Sequence, residues 1–244
     1  VADTPESLAI SAVVPVKNEA DNILPLVTEI DAALKEIGAP YEIVYVNDGS
    51  DDATPQRLKD AQAAFPALRI VTHSNSCGQS RAVATGVKHA RGRMIVTLDG
   101  DGQNVPGDIP GMWAKLEGAD DLMVAGRRMK RRDVWIKRVS SRWANRIRAR
   151  LLQDDTPDTG CGLKLFPRHA FLELPYFNHM HRFLPALMQR HGYRVTNHDV
   201  QHRFREHGTS KYGTLDRLAV SIFDIFGVMW LQRRMSRPDS IHVE

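Results

Sequence analysis

Asp99, Asp101 and Gln103 stand two apart in the segment Asp99-Gly100-Asp101-Gly102-Gln103, directly after the apolar run Met94-Ile95-Val96-Thr97-Leu98. Oxygen-bearing side chains of this kind suit a hard divalent cation, which commonly shares its ligands with substrate phosphates. A short apolar run reads as a buried strand, so the acids are expected where that strand leaves a sheet. If the backbone stays extended, residues two apart point the same way and all three side chains face one direction. The rival readings are a solvated acidic turn and a calcium loop. An EF-hand loop needs Gly at its sixth position and Glu at its twelfth. Counted from Asp99, those positions hold Asn104 and Pro110, and the calcium loop is excluded.

The elements around this segment alternate. Strands are expected at Leu8–Val16, Tyr41–Val46, Leu68–Thr72, Met94–Leu98 and Asp121–Ala125, with helices at about Ala20–Ile37, Ala53–Phe65, Gly78–Ala90 and Pro106–Leu116 between them. Ile23, Leu24, Val27, Ile30, Leu34 and Ile37 have helical spacing. The βαβα order predicts an α/β fold, a mostly parallel, doubly wound sheet with helices on both faces. Ligands of such sheets bind outside the carboxyl ends of the strands. Asp48, in Val46-Asn47-Asp48-Gly49-Ser50, is therefore a second candidate beside Asp99.

The later part is less regular. Ile136–Leu152 reads as a basic helix, with Ile136, Val139, Trp143, Ile147 and Leu151 as its apolar stripe. Gly160–Phe166 is expected to be a loop entering a strand, Arg182–His191 helical, Tyr193–Phe204 extended and Leu215–Met235 a last helix. There is no internal repeat or low-complexity linker, which gives one catalytic domain over 8–213 and a C-terminal amphipathic helix and tail over 214–244.

The 244 residues suffice for a full core, and 42% hydrophobic with 25% charged residues is ordinary for a globular protein. Charge is uneven. Between Arg127 and Arg150 there are 11 Lys/Arg and one acid, Asp133; this block's +10 within a chain of +4 leaves −6 elsewhere. Such a block calls for a localised anionic partner: phosphates, nucleic acid or a lipid surface. Cys77 and Cys161 are too few for a disulfide framework or a zinc ribbon. Val1–Glu6 lacks the regions of a signal peptide, and no stretch reaches the roughly 18 apolar residues of a spanning helix. A cytoplasmic setting is expected.

Several chemistries drop out. No Gly-x-Gly-x-x-Gly or Walker-type Gly-Lys-Ser/Thr follows the first strand, which instead runs into Pro15-Val16-Lys17-Asn18-Glu19. No Gly-x-Ser-x-Gly elbow is present, and the ten histidines form no ligand motif.

Pro15–Glu19, Val46–Asp52 and the acidic segment Asp99–Gln103 resemble family 2 glycosyltransferases of the A-type fold. Gly126-Arg127-Arg128, Asp158–Phe166 and Arg205–Lys211 are similar to the dolichol- or polyprenyl-phosphate mannose synthase branch, which also includes enzymes that load glucose, aminoarabinose-type sugars and uronic acids. The likeness runs from about Ile10 to Gly213. It implies that Pro15, Glu19, Asp48 and Asp99 line the nucleotide pocket, with Asp48 accepting from base or ribose. It also implies that Asp101 and Gln103, with Asp99, hold Mg²⁺ or Mn²⁺ on the diphosphate. Arg128, Lys137, Ser141 and Arg205, with Lys211 close behind, fall where the family receives the acceptor phosphate. The chain departs from the pattern at Gly102, often a larger residue, at Val105-Pro106-Gly107, commonly Pro-Pro-Glu, and at Lys137, which cannot form the bidentate clamp of an Arg.

The resemblance implies an inverting, metal-dependent transfer of a hexosyl unit from a nucleoside diphosphate sugar to a polyprenyl or dolichyl phosphate. GDP-mannose is the first expected donor; a UDP-linked glucose, galacturonic acid or aminosugar is the alternative. A polysaccharide or protein hydroxyl acceptor would need a carboxylate base, for which the sequence offers no compelling candidate outside the acidic segment Asp99–Gln103. A non-catalytic nucleic-acid or anionic-membrane binding module would leave Asp48, Asp99 and Asp101 unexplained, and the basic block carries no nucleic-acid motif. Leu218–Leu231, apolar except for Ser221, Asp224 and Gly227 and followed by Arg233, Arg234 and Arg237, fits a membrane interface. Asp224 is expected to face water or a partner, whether a membrane protein or a second copy. The setting is then peripheral, at the cytoplasmic face of the cell membrane.

Overall fold

Strand β1, Ile10–Val16, sends alternate side chains into two different cores. Ile10, Ala12, Val14 and Val16 enter one and Val13 the other. The split repeats in β2 (Tyr41–Asp48), where Ile43 and Tyr45 oppose Val44 and Val46, and in β4 (Met94–Thr97), where Met94 and Val96 oppose Ile95. It recurs in β5 (Leu122–Arg128), where Leu122 and Val124 oppose Met123 and Ala125. Burial on both faces is what a helix-covered parallel sheet demands, and it explains the unbroken Val/Ile runs. The computed structural model of the chain describes residues 8–129, 151, 152, 154, 156–204 and 214–234, of which 214–222 are described as backbone only.

Helix α1 (Ile23–Ile37) fills the first core with Ile23, Leu26, Val27, Ile30 and Leu34, and ends at Gly38, whose φ of 71° suits a residue without Cβ. Helix α2 (Thr54–Ala64) adds Leu58 and Ala61 to that side, and α4 (Ile109–Ala114) adds Ile109 and Met112. Helix α3 (Gln79–His89) covers the other face with Ala82, Val83 and Val87. It is joined there by α5 (Arg168–Leu172) and α6 (Leu184–Arg190).

The described strands form one seven-stranded sheet, in the order β3-β2-β1-β4-β6-β5-β7, with β3 at Leu68–His73, β6 at Lys164–Pro167 and β7 at Arg194–Val200. Every pairing is parallel except those of β6, which runs against both β4 and β5. The expected α/β sheet is thus observed, with one reversed strand. The order in which strands are added reverses at β1, with β2 and β3 laid down on one side and β4 on the other, so the crevice lies at the carboxyl ends of β1, β2 and β4, where Pro15, Asp48 and Asp99 stand.

The last helix, α7 (Thr214–Arg234), packs Val228, Ile225 and Met229 on the second core. Its Gln232 Nε2 donates to the Leu152 carbonyl at 2.8 Å. Asp224 corrects the sequence expectation: it faces the protein, 3.1 Å from His179 Nδ1. Phe223, Phe226 and Trp230, 77%, 62% and 59% exposed, lie on the outward side. The basic segment 130–150 lies outside the described residues. Among the described residues no helix is long and apolar enough to cross a membrane.

Candidate active site

The acidic segment is a turn. β4 stops at Thr97, and Gly102 takes φ +72°, so the chain folds back rather than running on extended. Asn104 Oδ1 accepts the Asp99 N–H at 2.8 Å, and Asp101 Oδ1 accepts the Gln103 N–H at 3.1 Å. The far side is held by segment 202–203: the Arg203 N–H donates to the Gln103 carbonyl at 3.0 Å, and Asn104 bridges to His202. The period-two argument is therefore not what aligns Asp99, Asp101 and Gln103. The turn itself brings all three to one cleft of about 540 Å³, which Pro15, Glu19, Asp48 and Arg128 also line.

Asp48, at the end of β2, is nearly buried and accepts four hydrogen bonds. Oδ1 takes the Cys77 N–H at 2.8 Å and faces His73 Nδ1 at 2.8 Å; Oδ2 takes the Ser76 hydroxyl and the Gly78 N–H, each at 2.9 Å. Burial alone would raise its pKa, but these donors outweigh it and hold the carboxyl below its ordinary value. A carboxylate offers about four acceptor sites, so Asp48 ties down the loop from His73 to Gly78. Its expected contact with a nucleotide would have to compete with that loop. Gly49, with φ +63°, lies where a Cβ would be 2.6 Å from the Ser76 nitrogen, so the loop closes only over glycine.

Asp99 is positioned from α3 and from the segment before β6. Gln79 Nε2 donates to its Oδ1 at 2.7 Å. A Cβ on Gly162 would overlap the Asp99 carboxylate, 2.6 Å from Oδ1. Burial raises the Asp99 pKa and Asp101 adds to the rise, while Lys164, Arg128 and the Gln79 bond oppose it. Lys164 is the buried countercharge. Its Nζ donates to the Cys161 carbonyl, and burial depresses its pKa. Arg128 forms a bidentate pair with Asp158, Nε to Oδ2 at 2.6 Å and Nη2 to Oδ1 at 2.7 Å, with the two side chains only 12% and 10% exposed. That fork uses two of the five N–H donors of the guanidinium. His181 and Arg182 complete this wall. Burial, then Lys164 and Arg182, push the His181 pKa down to about 3, so at pH 7 it is a neutral ring, with Nδ1 2.6 Å from the Ser80 hydroxyl.

Of the residues named from the sequence, Pro15, Glu19, Asp48, Asp99, Asp101, Gln103 and Arg128 share the cleft. Lys137, Ser141, Arg205 and Lys211 lie outside the described residues. Sequence reasoning did not single out Gln79, Asp158, Lys164, His181 or Arg182. Lys164 carried a readable signal, a lone charge inside the apolar run Leu163-Lys164-Leu165-Phe166. His181 and Arg182 carried none. A second cavity of about 560 Å³ opens beside Leu122 and Arg194, at the amino ends of β5 and β7. That is the edge such sheets do not use for ligands.

The cleft joins a hard-oxygen set, Asp99, Asp101 and Gln103, to cations, Arg128, Lys164 and Arg182. Two carboxylates and an amide oxygen are ligands that Mg²⁺ or Mn²⁺ accepts. A cleft of this kind can hold a cation–phosphate unit next to a second anion.

Comparison with known proteins agrees. The profile described as "Glycosyl transferase family 2" matches residues 11–174. A dodecaprenyl-phosphate galacturonate synthase of Rhizobium johnstonii is 37% identical over 240 residues, covering 97% of this chain and 71% of that protein. An undecaprenyl-phosphate 4-deoxy-4-formamido-L-arabinose transferase of Edwardsiella ictaluri is 34% identical, covering 84% of this chain. The chain spans 63% of that relative and 66% of its Enterobacter counterpart. Among solved structures, a mannosyltransferase from Pyrobaculum calidifontis in complex with GDP-Man and Mn²⁺ superposes with a TM-score of 0.66 at 20% identity, over 96% of this chain and 67% of that one. A glucosyl-3-phosphoglycerate synthase from Mycobacterium tuberculosis in complex with Mn²⁺, UDP and glucosyl-3-phosphoglycerate gives 0.66 at 16% identity, over 94% and 81%. The fold is the A-type glycosyltransferase fold. On the family match and on 37% identity across nearly its whole length, the chain belongs to glycosyl transferase family 2.

Proposed function

We propose that this glycosyltransferase moves a sugar from a nucleoside diphosphate donor to a polyprenyl phosphate, with inversion and with Mg²⁺ or Mn²⁺ bound. The observation that carries the reading is the pairing, in one cleft, of the oxygen set Asp99, Asp101 and Gln103 with Arg128 and the buried Lys164. When bound, the metal would neutralise charge on the departing diphosphate. The protein's own task is to bring two anions together. A phosphate monoester has a second pKa of about 6, so the acceptor is largely dianionic at neutral pH and attacks without a carboxylate base. Lys164 and Arg128 lower the repulsion between the two anions. Arg205, Lys137, Ser141 and Lys211 complete the acceptor side in this reading, and Pro15, Glu19 and Asp48 the nucleotide side.

The named relatives carry galacturonate and a formamidoarabinose. They favour the galacturonic acid or aminosugar alternative over mannose as the sugar. A UDP-linked uronic acid or aminosugar with Mn²⁺ is expected to raise the melting temperature more than GDP-mannose, because ligand binding stabilises the native state. Transfer from that donor to undecaprenyl phosphate should follow. A larger shift with GDP-mannose, and mannosyl transfer, would restore the first expectation; transfer to a sugar hydroxyl but not to the lipid phosphate would overturn the acceptor.

The acceptor's isoprenoid tail stays in a bilayer, so the catalytic domain has to come to the membrane face. Exposed Phe223, Phe226 and Trp230, with Arg233 and Arg234 in the last turn of α7, support peripheral docking there. The chain is expected to float with anionic liposomes and to be partly released by salt. A Phe223→Ser/Phe226→Ser/Trp230→Ser variant should stay at the bottom of the gradient. Equal flotation of both would assign docking to the Arg127–Arg150 block.

A further inference from the structure

On the rim of the cleft, Asp48, His73 and Cys77 bring a carboxylate oxygen, an imidazole nitrogen and a thiol sulfur within 4.8 Å of one another. We propose that these residues form a second metal site, selective for Zn²⁺-class ions, whose occupation inhibits donor binding. The ligand types are the first argument. A mixed O, N, S set suits Zn²⁺ or Co²⁺ and is foreign to Mg²⁺, which takes oxygen. Zinc bonds of about 2.0–2.3 Å place tetrahedral ligands roughly 3.4–3.8 Å apart. The cluster is thus within about an ångström of closure, and the exposed Cys77 side chain is held only by long contacts to Asn75, its Sγ 3.5 Å from the Asn75 carbonyl and 3.6 Å from Asn75 Nδ2, which it would exchange for the metal.

The surrounding hydrogen bonds are the second, independent argument. His73 Nε2 lies 3.0 Å from the Thr85 hydroxyl, which fixes the ring with Nδ1 turned to Asp48 at 2.8 Å, so the two ligand atoms already face each other. Asp48 Oδ2 is held by Ser76 and Gly78. Orienting partners of this kind raise the affinity of metal ligands and fix their direction. On binding, Cys77 Sγ loses its proton to solvent. The proton that His73 Nδ1 now shares with Asp48 is given up to solvent, and Nε2 takes one from solvent and donates it to the Thr85 hydroxyl, so the ring stays neutral and the Nδ1 lone pair turns to the metal. Asp48, Ser76 and Gly78 form part of the cleft wall, so a metal held by Asp48 beside them alters the same surface a donor would meet. The inhibitory part rests on the donor reading given above; the metal site does not.

The test is titration of the reduced, metal-free 244-residue chain with Co²⁺, read by thiolate-to-cobalt charge-transfer absorption, followed by displacement with Zn²⁺. One equivalent should bind with a thiolate band, and Cys77→Ser should remove the band. His73→Gln, checked for an unchanged fold by circular dichroism, should weaken binding on the order of tenfold or more. Asp101→Asn should keep the band, which separates this site from the Mg²⁺ or Mn²⁺ ligands. Zn²⁺ should also reduce the thermal shift given by UDP with Mg²⁺ in the wild type but not in Cys77→Ser. Absence of a thiolate band, or a band that persists in Cys77→Ser and so reports Cys161, would overturn the site. A Cys77-dependent band with an unchanged UDP shift would overturn the inhibitory role. A Cys77-dependent band in a chain that no nucleotide stabilises would support the metal site and count against the donor reading.

Discussion

Asp101→Asn is expected to lower turnover on the order of 10³-fold while the fold survives. Asp101 Oδ1 accepts the Gln103 N–H at 3.1 Å, and an asparagine oxygen can accept the same bond, so the turn is kept. What the substitution removes is a negative charge from the oxygen set that would hold the cation on a departing diphosphate, an interaction worth several kcal/mol in the transition state. Thermal unfolding should therefore be unchanged without ligands, while the extra stabilisation that Mn²⁺ gives a nucleotide complex should disappear. Turnover at the wild-type level, or wild-type activity undiminished by excess chelator, would remove Asp101 from the metal set.

The two cores and the crevice were legible because both follow from side-chain period. Val13, Val44, Ile95 and Met123 belong to continuous apolar runs that only a sheet covered on both faces can bury, and the helical spacing in α1 supplies the cover. The carboxyl ends of β2 and β4 then select Asp48 and Asp99. The reversal of β6 was not legible. Lys164–Pro167 is four residues long and lies far in sequence from its partners in β4, so direction is set by tertiary pairing rather than by pattern.

The site was legible in composition and less so in mechanics. Asp99, Asp101 and Gln103 were chosen as extended residues on one side, yet the positive φ of Gly102 and the Asn104 bond to the Asp99 N–H create the grouping. Side-chain-to-backbone bonds of this kind compete with extended structure and leave no periodic trace. Asp48 was read as a ligand group, whereas four protein donors already engage it, a fact that depends on a loop returning some 25 to 30 residues later. Lys164, a lone charge in an apolar strand that sequence reasoning passed over, is the buried countercharge of Asp99. Asp224 likewise looked out of place on an apolar helix until His179 came within 3.1 Å of it.

Removing either member of the Arg128–Asp158 pair is expected to destabilise the domain by about 3 kcal/mol, because each removal takes the bidentate bond from a charge that is nearly buried. Asp158→Leu should cost at least as much as Arg128→Met, since it leaves a guanidinium next to Lys164. The double variant Arg128→Met/Asp158→Leu should recover much of the loss, as apolar replacement of a whole buried pair often does. Urea unfolding of the four proteins gives the coupling directly. Activity should separate from stability in the same set. If Arg128 also faces the acceptor phosphate through its remaining N–H donors, the double variant will fold yet use the lipid phosphate on the order of 10²-fold less well, with donor binding preserved. Arg205→Ala is expected to show the same separation. Recovery of acceptor use along with stability in the double variant would mean that Arg128 only braces the Asp158–Gly162 segment, and through Gly162 the Asp99 carboxylate. Loss of donor affinity instead would place these arginines on the nucleotide side.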